Sequence, residues 1–291
     1  QLKEGNKVLI FEYGEGKPGD IKKLADFSLP HYGIITGLAP AHLDAYASLE
    51  AVADDFAYMN AAVGAPNLYI NGTSELLRAK LDGNYYDQSG IPGWRTDDIK
   101  INFSGTDFTL SNQDRKLELH TGLLGKHQVG PLSAAVALAA KLGLNDKHII
   151  AGVAATVPFE HRMQPRQLHG AWIIDDTYNG NIEGMRAGLE LLATLPGKRK
   201  IYVTPGLVDQ GEETEKIHHE LGTLIATAQP DKVVLMNNSV ADYISASMHA
   251  GRFKGELVVE KDPLGFYTNI EHYVAAGDVI LLQNDWPDSY Q

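Results

Sequence analysis

Short apolar runs with polar or acidic stops alternate along this chain with longer stretches of helical period. Lys7 to Tyr13 (KVLIFEY) reads as a buried strand with Glu12 near its carboxyl end. After the turn Gly14 to Gly19, a helix is expected from Asp20 to Ser28. Tyr32 to Leu38 reads as a second strand, ended by Ala39-Pro-Ala-His-Leu-Asp44, and Ser48 caps a helix to Val63. A third strand at Asn67 to Asn71 and a helix at Ser74 to Leu81 follow, so this half predicts a parallel sheet with helices on its faces.

Between Gly83 and Leu119 the period shortens to alternating runs (Ile99 to Phe103, Asp107 to Ser111, Lys116 to Leu119), read as an antiparallel excursion attached to the first sheet. Gly125 to Leu142 is an Ala-rich helix and Asp146 to Ala155 another. Pro158 to Gly170, with two prolines and two arginines, looks like a hinge, which divides the chain into domains 1–160 and 161–291. Beyond it the alternation restarts. Strands are expected at 171–176, 200–204, 232–236, 256–259 and 279–283, with helices at 182–195, 213–228, 240–249 and 265–275. The fold class is α/β: a mostly parallel first sheet with its antiparallel excursion, then a Rossmann-like open sheet.

Within that second sheet, Trp172-Ile-Ile-Asp-Asp-Thr-Tyr-Asn-Gly-Asn181 runs from an apolar strand into two carboxylates, a polar turn and a helix start. Asp175, Asp176 and Asn179 are ordinary capping and turn residues. The same position, outside the carboxyl end of a strand, is where ligands bind in open α/β sheets.

Composition narrows the chemistry. The 291 residues carry a net charge of −12 and no Lys/Arg-rich block, which argues against nucleic-acid backbone binding. Cysteine is absent, so a disulfide framework and thiol catalysis are excluded, and a reducing cytoplasm is the expected location. The longest apolar run, Ala134 to Ala140, is far short of the ~20 residues that span a bilayer. The first residue is Gln and no signal peptide follows, so a fragment or processed product is expected.

Gly14-Glu-Gly-Lys-Pro-Gly19 spells the dinucleotide fingerprint after a strand and before a helix, but the next strand ends in Ile35, Thr36 and Gly37 with no acid for a ribose. No phosphate-loop motif, H-E-x-x-H or G-x-S-x-G occurs. His218, on a surface helix, reads as a solvated residue. What remains is a set of ligands at strand ends: Glu12, His42 with Asp44, and Asp175 with Asp176. Glu12 and His42 could converge on a magnesium ion carrying nucleotide phosphates.

The order of these motifs resembles the Mur ligases, in particular the branch that adds D-alanyl-D-alanine to a UDP-muramoyl peptide. The carrying segments are Phe11 to Ile21, Gly37 to Asp44 with Ser48-Leu-Glu, Leu124-Gly-Lys-His-Gln128, His161-Arg-Met163, Asp175-Asp-Thr-Tyr-Asn-Gly-Asn181, and Val203 to Gly211 followed by His218. The resemblance implies a central ATPase domain, truncated at its N-terminus, followed by a Rossmann-like ligase domain. It further implies ATP and Mg2+ as cofactors, and amide formation through an acyl phosphate. A UDP-muramoyl peptide and an amino acid or dipeptide would be the substrates of a monomeric enzyme. By family role Glu12 and His42 would hold the metal, Glu12, His42 and Arg162 would be catalytic, and His127, Gln128, Arg162, Asp176, Tyr178 and Asn181 would bind the nucleotide.

The sequence departs from the family in several places. The phosphate-binding loop would lie upstream of Glu12, and no such loop is present, which implies that the fragment alone is inactive. The family's carbamoylated lysine should fall near Asp54 to Tyr58, where there is no lysine. Gln128 replaces the usual Asn, and Gln283-Asn-Asp-Trp-Pro-Asp288 stands where a K-G-S-[KR] stretch is usual. These changes leave a second reading, a non-catalytic relative that keeps the fold as a binding or scaffold module.

Overall fold

The computed structural model describes residues 8–38, 45–208 and 210–284. They form two compact units, one from residues 8–38 and 45–84 and one from residue 85 onward. Among the described residues, no helix is long and apolar enough to cross a membrane.

In the first unit, helices α1 (Asp20–Phe27), α2 (Leu49–Val63) and α3 (Glu75–Lys80) accompany strands β1 (Gly33–Ile35) and β2 (Leu68–Asn71), which pair in parallel. Strand β3 (Asn84–Tyr86) completes a sheet of order β1-β2-β3. The Oγ atoms of Ser48 and Ser74 accept the Ala51 and Leu77 N–H groups, capping α2 and α3 as their sequences predict. The expected strand at Lys7 to Tyr13 is a correction. Lys7 lies outside the described residues, and 8–13 carry no strand pairing, so Ile10 is 92% exposed and Val8, Leu9 and Phe11 are also exposed. An apolar run becomes a strand only where a neighbouring strand completes its ladder.

Asp55 on α2 organises the helix entrance. Its buried carboxylate accepts Gly19 N–H at 3.0 Å and Ile21 N–H at 3.4 Å, and Tyr46 Oη–H at 2.8 Å. Gly19, at φ 86°, has no side-chain cap of its own, so the carboxylate serves the orphan donors of α1 from another helix.

The second unit opens with β4 (Gly90–Ile91), β5 (Trp94–Asn102), β6 (Gly105–Ser111) and β7 (Lys116–Thr121). These strands form an antiparallel sheet of their own rather than an extension of the first sheet, because Phe108, Leu110, Leu117 and Leu119 bury against a helix pair. That pair is α4 (Val129–Lys141) and α5 (Asp146–Ala154), whose Val129, Leu132, Ile149 and Val153 share the cluster.

The remaining elements are β8 (Gln164–Leu168), β9 (Ala171–Asp176), α6 (Ile182–Thr194), β10 (Arg199–Thr204), α7 (Thr214–Ala228), β11 (Lys232–Met236), α8 (Ala241–Ala250), β12 (Glu256–Glu260), α9 (Pro263–Thr268) and β13 (Asp278–Gln283). The six strands lie in the order β12-β11-β10-β13-β9-β8, all parallel except β8, which is antiparallel to β9. Successive residues alternate faces: Ile174, Tyr202 and Leu281 enter the core under α6, α7 and α8, while Ile173, Val203 and Ile280 pack beneath α9. Burial on both faces explains why these strands read as unbroken apolar runs.

Two expectations need correction here. Five residues of the presumed hinge are β8, an edge strand whose Pro165 is tolerated because an edge leaves N–H positions unpaired. The helix expected at 265–275 is only α9 and a 3-10 turn at Ile270–His272, with Asp262 capping from Gly265 N–H at 3.0 Å.

Candidate functional site

Strands β9, β10 and β13 end side by side, with Asp176 in register with Gln283 and Val203 with Leu282. Each apolar run stops on a polar group at this edge: Asp175 and Asp176 on β9, Thr204 on β10, Gln283 and then Asn284 on β13.

Asp176 is the centre. Its Oδ1 accepts Met163 N–H at 3.1 Å and its Oδ2 accepts the Gln283 Nε2–H at 3.0 Å. Burial pushes its carboxyl up to about 6, against the opposing pull of the Gln283 and Met163 donors and of Arg162. Asn284, at φ 63°, returns its N–H to Asp176 O at 3.0 Å and its side-chain amide to Gly206 O.

The segment before β8 aims Arg162 at this edge. His161 and Met163 both adopt left-handed conformations, φ 59° and 46°. Such conformations are uncommon for residues other than glycine and persist where surrounding contacts impose them. Here the contacts are a buried Met163 side chain and a His161 ring whose Nδ1–H donates to Asp175 Oδ2 at 3.0 Å. Thr177 Oγ1–H satisfies the other Asp175 oxygen at 2.7 Å. Between them, the exposed Arg162 guanidinium stacks 4.5 Å above the Tyr178 ring and donates to Asn179 O at 2.9 Å. Arginine on an aromatic face is a cation held in one plane, and Tyr178 itself is 64% exposed.

Asn181 caps α6 by accepting Gly184 N–H at 2.9 Å, which commits its carbonyl oxygen locally. His127 and Gln128 form a 3-10 turn, Lys126–Gln128, that packs against α6, with Leu124 buried in the core under β9. Gln128 Nε2–H donates to His127 Nε2 at 2.9 Å, and desolvation lowers His127 to about 4, so its ring is neutral at pH 7 although the residue keeps solvent exposure.

Arg162, Asp176, Tyr178 and Asn181 thus share one sheet edge, with His127 and Gln128 on the turn against α6. Glu12 belongs to the other unit and is exposed, and His42 with Asp44 lies outside the described residues. Among the described residues no cluster of three or more His, Asp or Glu side chains could hold a metal.

His218 reverses its expectation: it is fully buried, its Nε2 accepting Leu207 N–H at 2.9 Å and its Nδ1–H donating to Thr214 O at 2.5 Å. Desolvation lowers its pKa, and Gly206, at φ 92°, leaves the space that a Cβ would take from the ring. Sequence reasoning also passed over His161, Tyr202 and Gln283 as participants. For Gln283 the signal was present, since the run Val279 to Leu282 stops on a polar pair just as β9 does.

Residues 1–139 match the family model described as Mur ligase middle domain, and residues 161–283 the one described as Mur ligase, glutamate ligase domain. The chain is 27% identical over 310 residues to the UDP-N-acetylmuramoyl-tripeptide–D-alanyl-D-alanine ligase of Mycobacterium leprae, covering 94% of this chain and 60% of that protein. It is 27% identical over 238 residues to the Escherichia coli protein of the same name, covering 77% and 52%. MurF from Acinetobacter baumannii superposes with TM-score 0.77 at 19% identity, over 95% of this chain and 61% of that one. MurF from Thermotoga maritima in complex with ADP gives 0.75 at 19%, over 93% and 62%. The chain therefore spans about three-fifths of the length of these relatives or less.

Proposed function

Because this chain belongs to the Mur ligase family, in its middle and C-terminal domains alike, we propose that it forms the corresponding parts of an ATP-dependent amide-forming ligase of peptidoglycan precursor synthesis. The division between the two parts is proposed at 160/161, where the second family model begins. The substrates are a UDP-muramoyl peptide and an amino acid or dipeptide, and D-alanyl-D-alanine is the amine named for the relatives.

The observation that carries this reading is the pairing of Arg162, held flat on Tyr178, with Asp176, held by Met163 and Gln283, on one carboxyl edge. A guanidinium fixed in one plane suits bidentate contact with phosphate oxygens. A carboxylate beside it accepts hydrogen bonds from ligand hydroxyls. These residues fit a nucleotide, and a relative carrying ADP supports that fit. Mg2+ bound through Glu12 and His42 would neutralise charge on the transferring phosphoryl group. Arg162 would meet phosphate oxygens at the carboxyl edge, and His127, neutral and partly open, would meet the base.

The experiment is ADP formation by the full gene product, with amide product followed by mass spectrometry. Turnover that requires both the UDP-muramoyl peptide and the amine, and that falls at least a hundredfold in Glu12→Ala or His42→Ala, supports the ligase. Unchanged turnover in both variants removes the metal-binding roles. The non-catalytic reading has one observation of its own. At the expected lysine position, Asp55 is committed to capping α1 and Asp54 pairs with Lys80. Nucleotide binding without substrate-dependent hydrolysis would decide for it.

A further inference from the structure

Gln283 is 1% exposed and touches three other elements of the sheet edge through one amide. Its Nε2 donates to Asp176 Oδ2 at 3.0 Å on β9 and to Gly184 O at 2.9 Å on α6. Its Oε1 accepts Tyr202 Oη–H at 3.0 Å from β10. The orientation of the amide is dictated by its partners: reversed, its oxygen would face a carboxylate and a carbonyl, both of which only accept. Gly188 on α6 accommodates it, because a Cβ there would come within 2.3 Å of Nε2. A fully buried amide with every partner supplied, resting on a glycine in mid-helix, is a built arrangement.

We propose that Gln283 is the positioning residue for Asp176, holding that carboxylate in one orientation and in its ionised form toward a ligand at the carboxyl edge. This rests on Asp176 facing the nucleotide, as proposed above. A neutral donor on Oδ2 stabilises the anion without forming an ion pair. Among the described residues, the charged and titratable groups around Asp176 are Arg162, which favours the anion, Asp175, which opposes it, and His161, which is tied to Asp175. Tyr202, buried on β10, holds the far side of the amide. Asp176 therefore titrates within reach of physiological pH, with Gln283 as the donor that keeps it charged.

The test is a 13C-carboxyl NMR titration of Asp176 in this chain, the resonance assigned by its loss in Asp176→Asn. In Gln283→Met, which keeps the volume and removes the donor, the midpoint is expected to rise by about one pH unit, the effect of one hydrogen bond to a charged group. Tyr202→Phe frees the amide to turn and is expected to raise it by a smaller amount, so the proposal stays testable if the first variant fails to fold. Midpoints unchanged in the variants that fold would overturn it. A parallel ADP titration by calorimetry separates the two claims. An affinity whose pH dependence follows the shifted midpoint supports both. A midpoint that moves while the wild-type full gene product binds no ADP at any pH leaves Gln283 holding the carboxylate but overturns its orientation toward a nucleotide, and with it the reading above.

Discussion

His161 and Asp175 are locked together, ring Nδ1 to carboxylate Oδ2 at 3.0 Å, with Thr177 on the second oxygen. The pair joins the left-handed turn ahead of β8 to the end of β9, so it supports the position of Arg162. Asp175→Ala is expected to lower the unfolding free energy by about 2–3 kcal/mol, since it strands buried hydrogen-bond partners. Asp175→Asn should cost less because one acceptor remains. Urea denaturation of both variants checks the order.

Gly188→Ala offers a test in which intrinsic propensity and tertiary packing disagree. In an isolated helix alanine would stabilise this position by about 1 kcal/mol. Here the new Cβ would strike Gln283, so net destabilisation is expected, together with an upward shift of the Asp176 midpoint like that of Gln283→Met. A stabilised protein with an unchanged midpoint would show that the amide has room to move.

Arg162→Lys keeps the charge and removes the planar fork and the stack on Tyr178. Nucleotide affinity is expected to fall about tenfold or more, equivalent to 1.4 kcal/mol. Calorimetry at fixed ionic strength measures it, and Tyr178→Ala should weaken binding in the same direction.

Two groups act on stability with opposite sign in mildly acidic solution. His127 titrates at about 4 when folded and at 6.5 when unfolded, so the unfolded chain binds more protons and stability is lost as pH falls through that window. Asp176 titrates at about 6 when folded against 3.8 unfolded, so its contribution is present at low pH and is lost as pH rises toward 6. The two slopes oppose each other between about 4 and 6. Removing His127 as His127→Gln should leave stability falling more steeply with rising pH, and Asp176→Asn should leave it falling more steeply with acid. Denaturation at pH 4, 5, 6 and 7 distinguishes them.

In the first unit, Asp55→Ala removes the shared acceptor of Gly19, Ile21 and Tyr46. A loss of about 2 kcal/mol is expected, with faster amide exchange concentrated in α1.

The second sheet was readable because its parallel strands are buried on both faces and spell continuous apolar runs between helical periods. The same logic misassigned Val8 to Tyr13, since apolarity marks the potential for a strand while pairing requires a neighbour. The 158–170 segment was read from its prolines, and Pro165 turned out to sit where an edge tolerates it. At the site, Arg162 and Asp176 stood out through a motif and an acidic stop. Gln283, Tyr202 and His218 did not, because their importance comes from contacts between residues 81, 107 or 11 positions apart, which no local spacing reveals. Tyr202 looks like any core aromatic, and His218 like any surface-helix histidine.

Asn284 joins Asp176 O and Gly206 O across the ends of three strands. The inner side of this lip is thereby stapled, and a ligand arriving there meets a surface that does not yield. The strand ends therefore act as a fixed gauge, and what a ligand meets beyond them is the exposed Tyr178 ring with Arg162 stacked on it.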